Sequence, residues 1–383
     1  MRKINLLYII TKLELGGAQK QLLSLITSLD PRRYSIFLIT AEKGLLDEDA
    51  HLIPGLKVIH SRCLERPINP LKDLLALVQI YRFIKENNIE AVHTHSSKAG
   101  ILGRLAARLA GVKAIVHTVH GWSFNDYQSK ACRSFAILLE RMSAHFTNKL
   151  IVVCEHDLEK GLAHNVGSRS KFALIPYAIN YSEFASSRDP VTRRELGLNP
   201  EDLIIGMMSC FKPQKSPLDF IKLAYLVHKS FSRAKFILIG DGELRRVVEK
   251  QIKEYDLVEQ VVLTGWRRDI PRLLSAMDIF VLTSIWEGLP ISVLEAMAAS
   301  LPVVATNTGG VSEIIVDSKT GFLVKRKDMD NMSEKVIMLL EDAGLRREIG
   351  FNARKYCLEG NFTIDNALSK THRVYETLMP RMG

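Results

Sequence analysis

The five cysteines (Cys63, Cys132, Cys154, Cys210 and Cys357) form no C-x-x-C pair and no His/Cys cluster at metal-ligand spacing. That pattern excludes a zinc-ribbon site and a disulfide framework, fits a reducing cytoplasm, and leaves no expectation of a bound metal. No stretch approaches the roughly 18 consecutive apolar residues that a membrane span needs. The N-terminal MRKINLLYII starts like a signal peptide but runs into TKLELGG without a small-residue cleavage site. A buried first strand explains it better. The chain has no internal repeat and no low-complexity tract, which excludes solenoids and long linkers. It also lacks G-x-G-x-x-G after the first strand, which argues against a nicotinamide-dependent oxidoreductase. No nucleic-acid module is recognisable, so net charge alone would have to carry that reading.

What is there is a globular balance: 383 residues, 47% hydrophobic and 25% charged, enough apolar material for two cores of ordinary size. The net charge of +10 is uneven. Residues 1–190 carry 25 Lys and Arg against 17 Asp and Glu, and the remainder is nearly balanced. A basic first half suits a phosphate-bearing substrate, an anionic surface or plain solvation equally well.

Short apolar runs alternate with helix-period segments throughout, the pattern of parallel sheets with crossover helices. Strands are predicted over 4–10, 35–40, 57–60, 91–95, 114–120, 149–154 and 172–176, then over 203–209, 235–241, 261–265, 279–284 and 302–306. Both halves therefore read as doubly wound α/β units. The strand-free stretch 180–202 is rich in Pro, Ser and charge and marks the join. The predicted domains are 1–185 and 186–365, with a final helix at about 366–383. Open parallel sheets bind ligands at the C-terminal ends of their strands, so the chemistry belongs in the loops that follow them, at a cleft between the two domains.

The most specific motif is WEGLPISVLEAMAASLPVVATNTGG (286–310). Pro290 suits the first turn of a helix, which puts Glu287 in the preceding loop and Glu295 about two turns in. Carboxylates so spaced can accept hydrogen bonds from hydroxyls at opposite ends of one polyhydroxylated ligand, such as a nucleotide sugar. Free amides at the helix start add donors. A second site is SCFKPQKSPLDF (209–220), where Lys212 and Lys215 follow a strand and can offset diphosphate charge. A third is the pair Gly16 and Gly17, where the missing Cβ atoms permit close approach to a ligand and the following helix favours an anion. Four histidines stand near strand ends. His95 and His120 are the cleft candidates, whereas His93 and His117 are expected to point away from them. Gly240, Asp241 and Gly242 form a strand-to-helix turn with room for a ligand.

Glu287 and Glu295, within EGLPISVLEAMA and PVVATNTGGVSEII, resemble the paired-glutamate loop of glycosyltransferase family 4. The resemblance is stronger over 203–325 than over 1–180. It implies the GT-B architecture, two facing Rossmann-like domains, with the first binding an acceptor and the second a nucleotide-sugar donor, UDP being the commonest. It assigns Glu287 to the transferred sugar and Glu295 to the ribose, and Gly288, Leu289, Pro290 and Gly240 to the donor site. Lys215 matches the family's lysine, while Cys210 occupies the place of its arginine, with Lys212 as a substitute cation. His120, followed by Gly121 and Trp122, matches the histidine facing the donor sugar. The resemblance implies transfer with retention, no cofactor, catalysis by His120, Lys215 and Glu287, and a final helix packing back on the first domain. It places the enzyme in polysaccharide or glycolipid assembly, with a sugar or lipid-linked acceptor.

The alternatives are a sugar-nucleotide epimerase or phosphorylase, or a non-catalytic binding subunit. Segments 98–113 and 129–149 combine apolar faces with Lys98, Arg104, Arg108, Lys130, Arg133 and Arg141, as a helix on an anionic membrane would. Peripheral contact with the inner face of the membrane is thus an expectation, beside a core-facing helix with a solvated basic edge. Asp328-Met329-Asp330 looks like a metal-binding D-x-D but reads as a surface loop.

Overall fold

Runs rich in Ile, Val, Leu and Phe make the strands, and their two-residue period decides which helices cover which face. The computed structural model describes residues 2–184, 189–360 and 362–379. The chain divides into two compact units, one up to Tyr177 together with the residues from Asp365 onward, the other Ala178–Ile364.

Unit 1 holds β1 (Ile4–Ile9), β2 (Tyr34–Ala41), β3 (Leu56–Ser61), β4 (Ala91–His95), β5 (Ala114–Val119), β6 (Lys149–Val152) and β7 (Phe172–Leu174). All are parallel, in the order β3-β2-β1-β4-β5-β6-β7. Alternation along β1 sends Leu6 and Tyr8 into a core with Leu22, Ile26 and Val374, and Leu7 and Ile9 into another with Ile80, Ile84 and Ala106. A strand buried on both faces has no polar side to show, which is why β1 reads as a continuous apolar run. Asn69 caps the helix Pro70–Glu86 by accepting from the Lys72 amide, with Pro70 at the first position. Gly111, at φ 77°, ends the helix Ser97–Ala110.

Unit 2 repeats the plan with β8 (Leu203–Met208), β9 (Ala234–Ile239), β10 (Val261–Gly265), β11 (Ile279–Leu282), β12 (Val303–Thr306) and β13 (Gly321–Val324). Its order is β10-β9-β8-β11-β12-β13, again parallel. In each sheet the order reverses once, between β1 and β4 and between β8 and β11. These switch points are where such sheets open a crevice at their strand ends.

Several expectations need correction. The boundary predicted at 185/186 lies outside the described residues, and the chain changes unit earlier. Ile179 pairs with Thr363, its amide donating to Phe362 O, and Tyr181 Oη donates to Cys357 O, so these residues belong to unit 2. Strand β13 was not predicted, because four residues straight after a turn leave almost no period to read. The Asp328-Met329-Asp330 stretch is a helix start rather than a plain surface loop: the Asp328 side chain accepts from the Asn331 amide and caps the helix Met329–Glu341. Of the six cations assigned to a membrane-facing surface, Arg133 pairs with Asp126 and Arg141 Nε donates to His164 O, while two more sit in largely buried ion pairs. Arg104 is fully buried and donates to Glu140 at 2.8 Å, and Lys98 pairs with Asp73 at 2.5 Å.

The C-terminal helix Ile364–Leu378 packs on the unit 1 sheet. Its Tyr375 hydroxyl lies 2.8 Å from Tyr8 Oη and 2.6 Å from His93 Nδ1, and Glu376 pairs with Arg33.

Candidate functional site

In unit 2 the two loops at the switch point meet. After β8 the chain makes a short turn, Pro213–Lys215, and Ser216 takes the left-handed conformation before the helix Pro217–Ser230. Lys215 Nζ then donates to Glu287 Oε1 at 2.5 Å, from the loop after β11. The same oxygen accepts from Ser284 Oγ at 2.6 Å. The Glu287 side chain is 5% exposed and that of Lys215 21%, so this is a largely desolvated pair with one cationic face left toward solvent. The loops are tied by backbone as well: the Ile285 amide donates to Gln214 O, and Gln214 Nε2 to Trp286 O.

Pro290 caps the helix Ile291–Ala298, at the helix start as expected, and Glu295 stands just over one turn in, not two. Glu295 is buried with the rest of that helix, 6% exposed. Gly288 accepts from the Gly310 amide, and Leu289 is buried. Lys212 is half-buried at the start of the Pro213–Lys215 turn, its amide donating to the carbonyl of Cys210, which follows β8. Gly240 follows β9 at φ 121°, and a Cβ there would meet Ser209 O at 2.0 Å. Its glycine is therefore required by the neighbouring loop, whatever ligand comes near.

In unit 1, Gly16 caps the helix Gly17–Thr27, whose first turn carries no acid. The Thr11 and Ser96 hydroxyls meet at 2.8 Å across the switch point. His95 closes β4 and His120 follows β5. His95 Nδ1 and His120 Nε2 are 2.8 Å apart, and His120 Nδ1 is 2.5 Å from Tyr177 Oη. Burial pushes His120 down to about 3, and His95 well below the usual histidine range, with repulsion from His93 adding to it. Both rings are neutral at ordinary pH.

His93 does not point away from His95. Residues two apart on a strand share a face, and the two rings lie 4.4 Å apart. His93 is nonetheless enclosed, held by Tyr375 and by Thr118 Oγ1 at 2.7 Å. His117 faces the opposite side, 2.9 Å from Thr94 Oγ1 and packed on Gly100.

Comparison with known proteins matches residues 189–356 to the family described as "Glycosyl transferases group 1" and residues 15–183 to "Glycosyltransferase Family 4". The chain is 32% identical over 366 residues to an Escherichia coli UDP-Gal:alpha-D-GlcNAc-diphosphoundecaprenol alpha-1,3-galactosyltransferase, covering 94% of each. The chain belongs to glycosyltransferase family 4. It is also 27% identical, over 88% of its length and 89% of the relative's, to a Campylobacter jejuni N,N'-diacetylbacillosaminyl-diphospho-undecaprenol alpha-1,3-N-acetylgalactosaminyltransferase. The Anabaena protein HepE, solved with UDP and glucose, superposes with a TM-score of 0.83 at 20% identity, covering 98% of this chain and 100% of that one. The fold is accordingly GT-B and the protein a glycosyltransferase.

Within this family 4 chain, three residues at the site were not foreseen. Ser284 and Tyr177 hold Glu287 and His120, and Tyr375 closes the histidine face. Ser284 had a signal, standing at a strand end three residues before Glu287. Tyr177 and Tyr375 reach their partners from 57 and 282 residues away, beyond any local pattern.

Proposed function

We propose that this glycosyltransferase moves a hexosyl or N-acetylhexosaminyl group from a UDP-sugar to a lipid-linked saccharide, with retention and without a metal, in polysaccharide or glycolipid assembly. The observation that carries the reading is the Lys215–Glu287 contact at the β8/β11 switch point. A diphosphate drawn to the Lys215 ammonium arrives beside a carboxylate able to accept from a sugar hydroxyl. Glu295, Gly288, Leu289 and Pro290 complete the donor loop, with Gly240 and Lys212 bordering it. Gly16 and Gly17 serve the donor diphosphate and the acceptor side, and His120 the donor sugar. In same-face transfer, the departing diphosphate oxygen takes the acceptor proton while Lys215 stabilises the leaving charge. The names of the E. coli and C. jejuni relatives, a UDP-sugar and diphospholipid acceptors, support the substrate classes.

The acceptor's lipid also gives a reason for a membrane-facing surface. No helix among the described residues is long and apolar enough to cross a bilayer. The helix Lys130–His145, however, exposes Phe135, Leu138 and Met142 beside Lys130 and Arg141, and its single acid, Glu140, is buried against Arg104. An apolar stripe with cationic flanks suits peripheral contact with an anionic cytoplasmic leaflet.

A thermal-shift panel of UDP-, GDP- and ADP-sugars tests the donor. A shift with a UDP-sugar that weakens in Glu295→Ala is expected, and no shift with any from folded protein overturns the reading. An inverted anomeric product by proton NMR would remove retention. Failure to sediment with phosphatidylglycerol vesicles at low salt would remove membrane contact.

A further inference from the structure

The turn that carries Lys215 is held by the residues after β11 through three successive carbonyls. The Ile285 amide donates to Gln214 O at 2.7 Å, and the Thr283 hydroxyl donates to Lys215 O at 3.1 Å and to Ser216 O at 3.0 Å. Between those two in sequence, Ser284 Oγ donates to Glu287 Oε1. Residues 283 and 285 thus fix the lysine turn, and residue 284 fixes the glutamate. All three continue a strand paired on both sides, by β8 and by β12, so they offer a firm support. Thr283 is 1% exposed, and water does not replace its bonds. Its single proton is shared between the two carbonyls, because Met207 Sδ, at 3.4 Å, is a weak acceptor.

Ser216 needs that support. At φ 45° and ψ 56° it lies in the left-handed region that side-chain-bearing residues rarely adopt, and this conformation turns the chain into the helix Pro217–Ser230. Its hydroxyl donates to Asp219 Oδ2 at 2.6 Å and accepts from Lys327 Nζ at 3.0 Å, which braces it from the helix and from the loop after β13. Thr283 braces it from the sheet. We propose that Thr283 is a positioning residue, whose hydroxyl holds the Lys215–Ser216 backbone so that the Lys215 ammonium stays within reach of both Glu287 and the donor diphosphate. The proposal rests on the reading of Lys215 as the cation that meets the diphosphate. An ammonium that passes from a carboxylate to a diphosphate and back must move a short way without being lost to either. A turn pinned at its carbonyls leaves that movement to the side chain alone. Without the pin the cation is misplaced where the leaving charge develops, and the loss falls on turnover more than on binding.

The test uses the full chain labelled with 15N-lysine. Proton–nitrogen spectra of the ammonium groups at low temperature are assigned with Lys215→Ala. In the wild type the ion-paired Lys215 ammonium is expected as a slowly exchanging signal that moves when UDP is added. Thr283→Val, which keeps the shape and removes the hydroxyl, is expected to broaden or lose that signal, and Thr283→Ser to restore it, with all variants folded by thermal melting. Thr283→Ala takes the place of the valine should the valine not fold. A wild-type ammonium that exchanges as fast as a surface lysine, or a Lys215 signal indifferent to loss of the hydroxyl, overturns the proposal without any substrate. A wild-type signal unmoved by UDP instead overturns the reading of Lys215 itself. Turnover is read as UDP release from UDP-galactose with an N-acetylglucosaminyl diphospholipid. Thr283→Val is expected to lower kcat about 10-fold with KM within about three-fold, Thr283→Ser to recover most of it, and the valine to add nothing in a Lys215→Ala background. Losses that multiply in the double variant, or a folded Thr283→Ser as slow as the valine, reduce Thr283 to packing and overturn the proposal.

Discussion

Lys215 Nζ and Glu287 Oε1 stand 2.5 Å apart, although 72 residues separate them in the chain. Each is the other's counter-ion, and a bound diphosphate would compete with Glu287 for the ammonium. Lys215→Ala leaves the carboxylate with Ser284 alone in a desolvated place. The expected loss is about 2–4 kcal/mol of unfolding free energy, read by urea titration, with turnover down about 100-fold or more. Lys215→Arg is expected to recover stability better than turnover, because a planar fork does not reproduce a compact cation.

Glycines at two loop crossings are fixed by backbone, so replacement reads as a folding defect. A Cβ on Gly309, at φ 55°, would sit 2.0 Å from Glu287 O, and one on Gly240 would sit as close to Ser209 O. Gly309→Ala and Gly240→Ala are each expected to cost about 2 kcal/mol or more and lower Tm by several degrees in calorimetry. An unchanged Tm would show that the loops give way.

The buried histidines set an acid limit. His93 and His120 are both pushed down to about 3, mainly by burial, so between about pH 6.5 and 3 the unfolded chain binds protons that the folded one does not. Stability is full above that window and falls with pH by about 1.4 kcal/mol per unit for each such histidine. Urea midpoints measured from pH 7.5 to 4.5 should follow this slope, and His93→Gln should make it shallower.

Arg104 and Glu140 join two helices through a pair whose side chains are 0% and 2% exposed. Glu140→Ala strands a fully buried guanidinium, with an expected loss of about 3–5 kcal/mol in urea titration. Replacing both by Met and Leu should recover most of it. If the single change costs under about 1 kcal/mol, water has entered the interface.

The alternation of strands and helices and the two doubly wound units were legible because they rest on local pattern, whereas the GT-B class came from the resemblance of the loop around Glu287 and Glu295 to glycosyltransferase family 4. Crossovers of one hand leave few sheet orders, and the structure supplies which of them each unit adopts. What was not legible depends on partners distant in sequence. Lys98 and Arg104 read as surface cations until Asp73 and Glu140, 25 and 36 residues away, neutralise them. Strand β13 was too short to show a period, and the placing of His93 failed for a different reason, a misapplied two-residue alternation.

The return of the last helix to unit 1 has a consequence for biosynthesis. Unit 2 is in effect an insertion, entered after Tyr177 and left before Asp365. On a ribosome the first seven strands emerge long before Val374 and Tyr375, which fill one face of their core and satisfy Tyr8 and His93. The N-terminal sheet must therefore wait, incompletely covered, while the whole of unit 2 is made and can fold first. Chaperone dependence during synthesis should accordingly fall on the unit that is translated earliest, and ribosome-bound chains stalled before residue 364 should be cut by protease in unit 1 sooner than in unit 2.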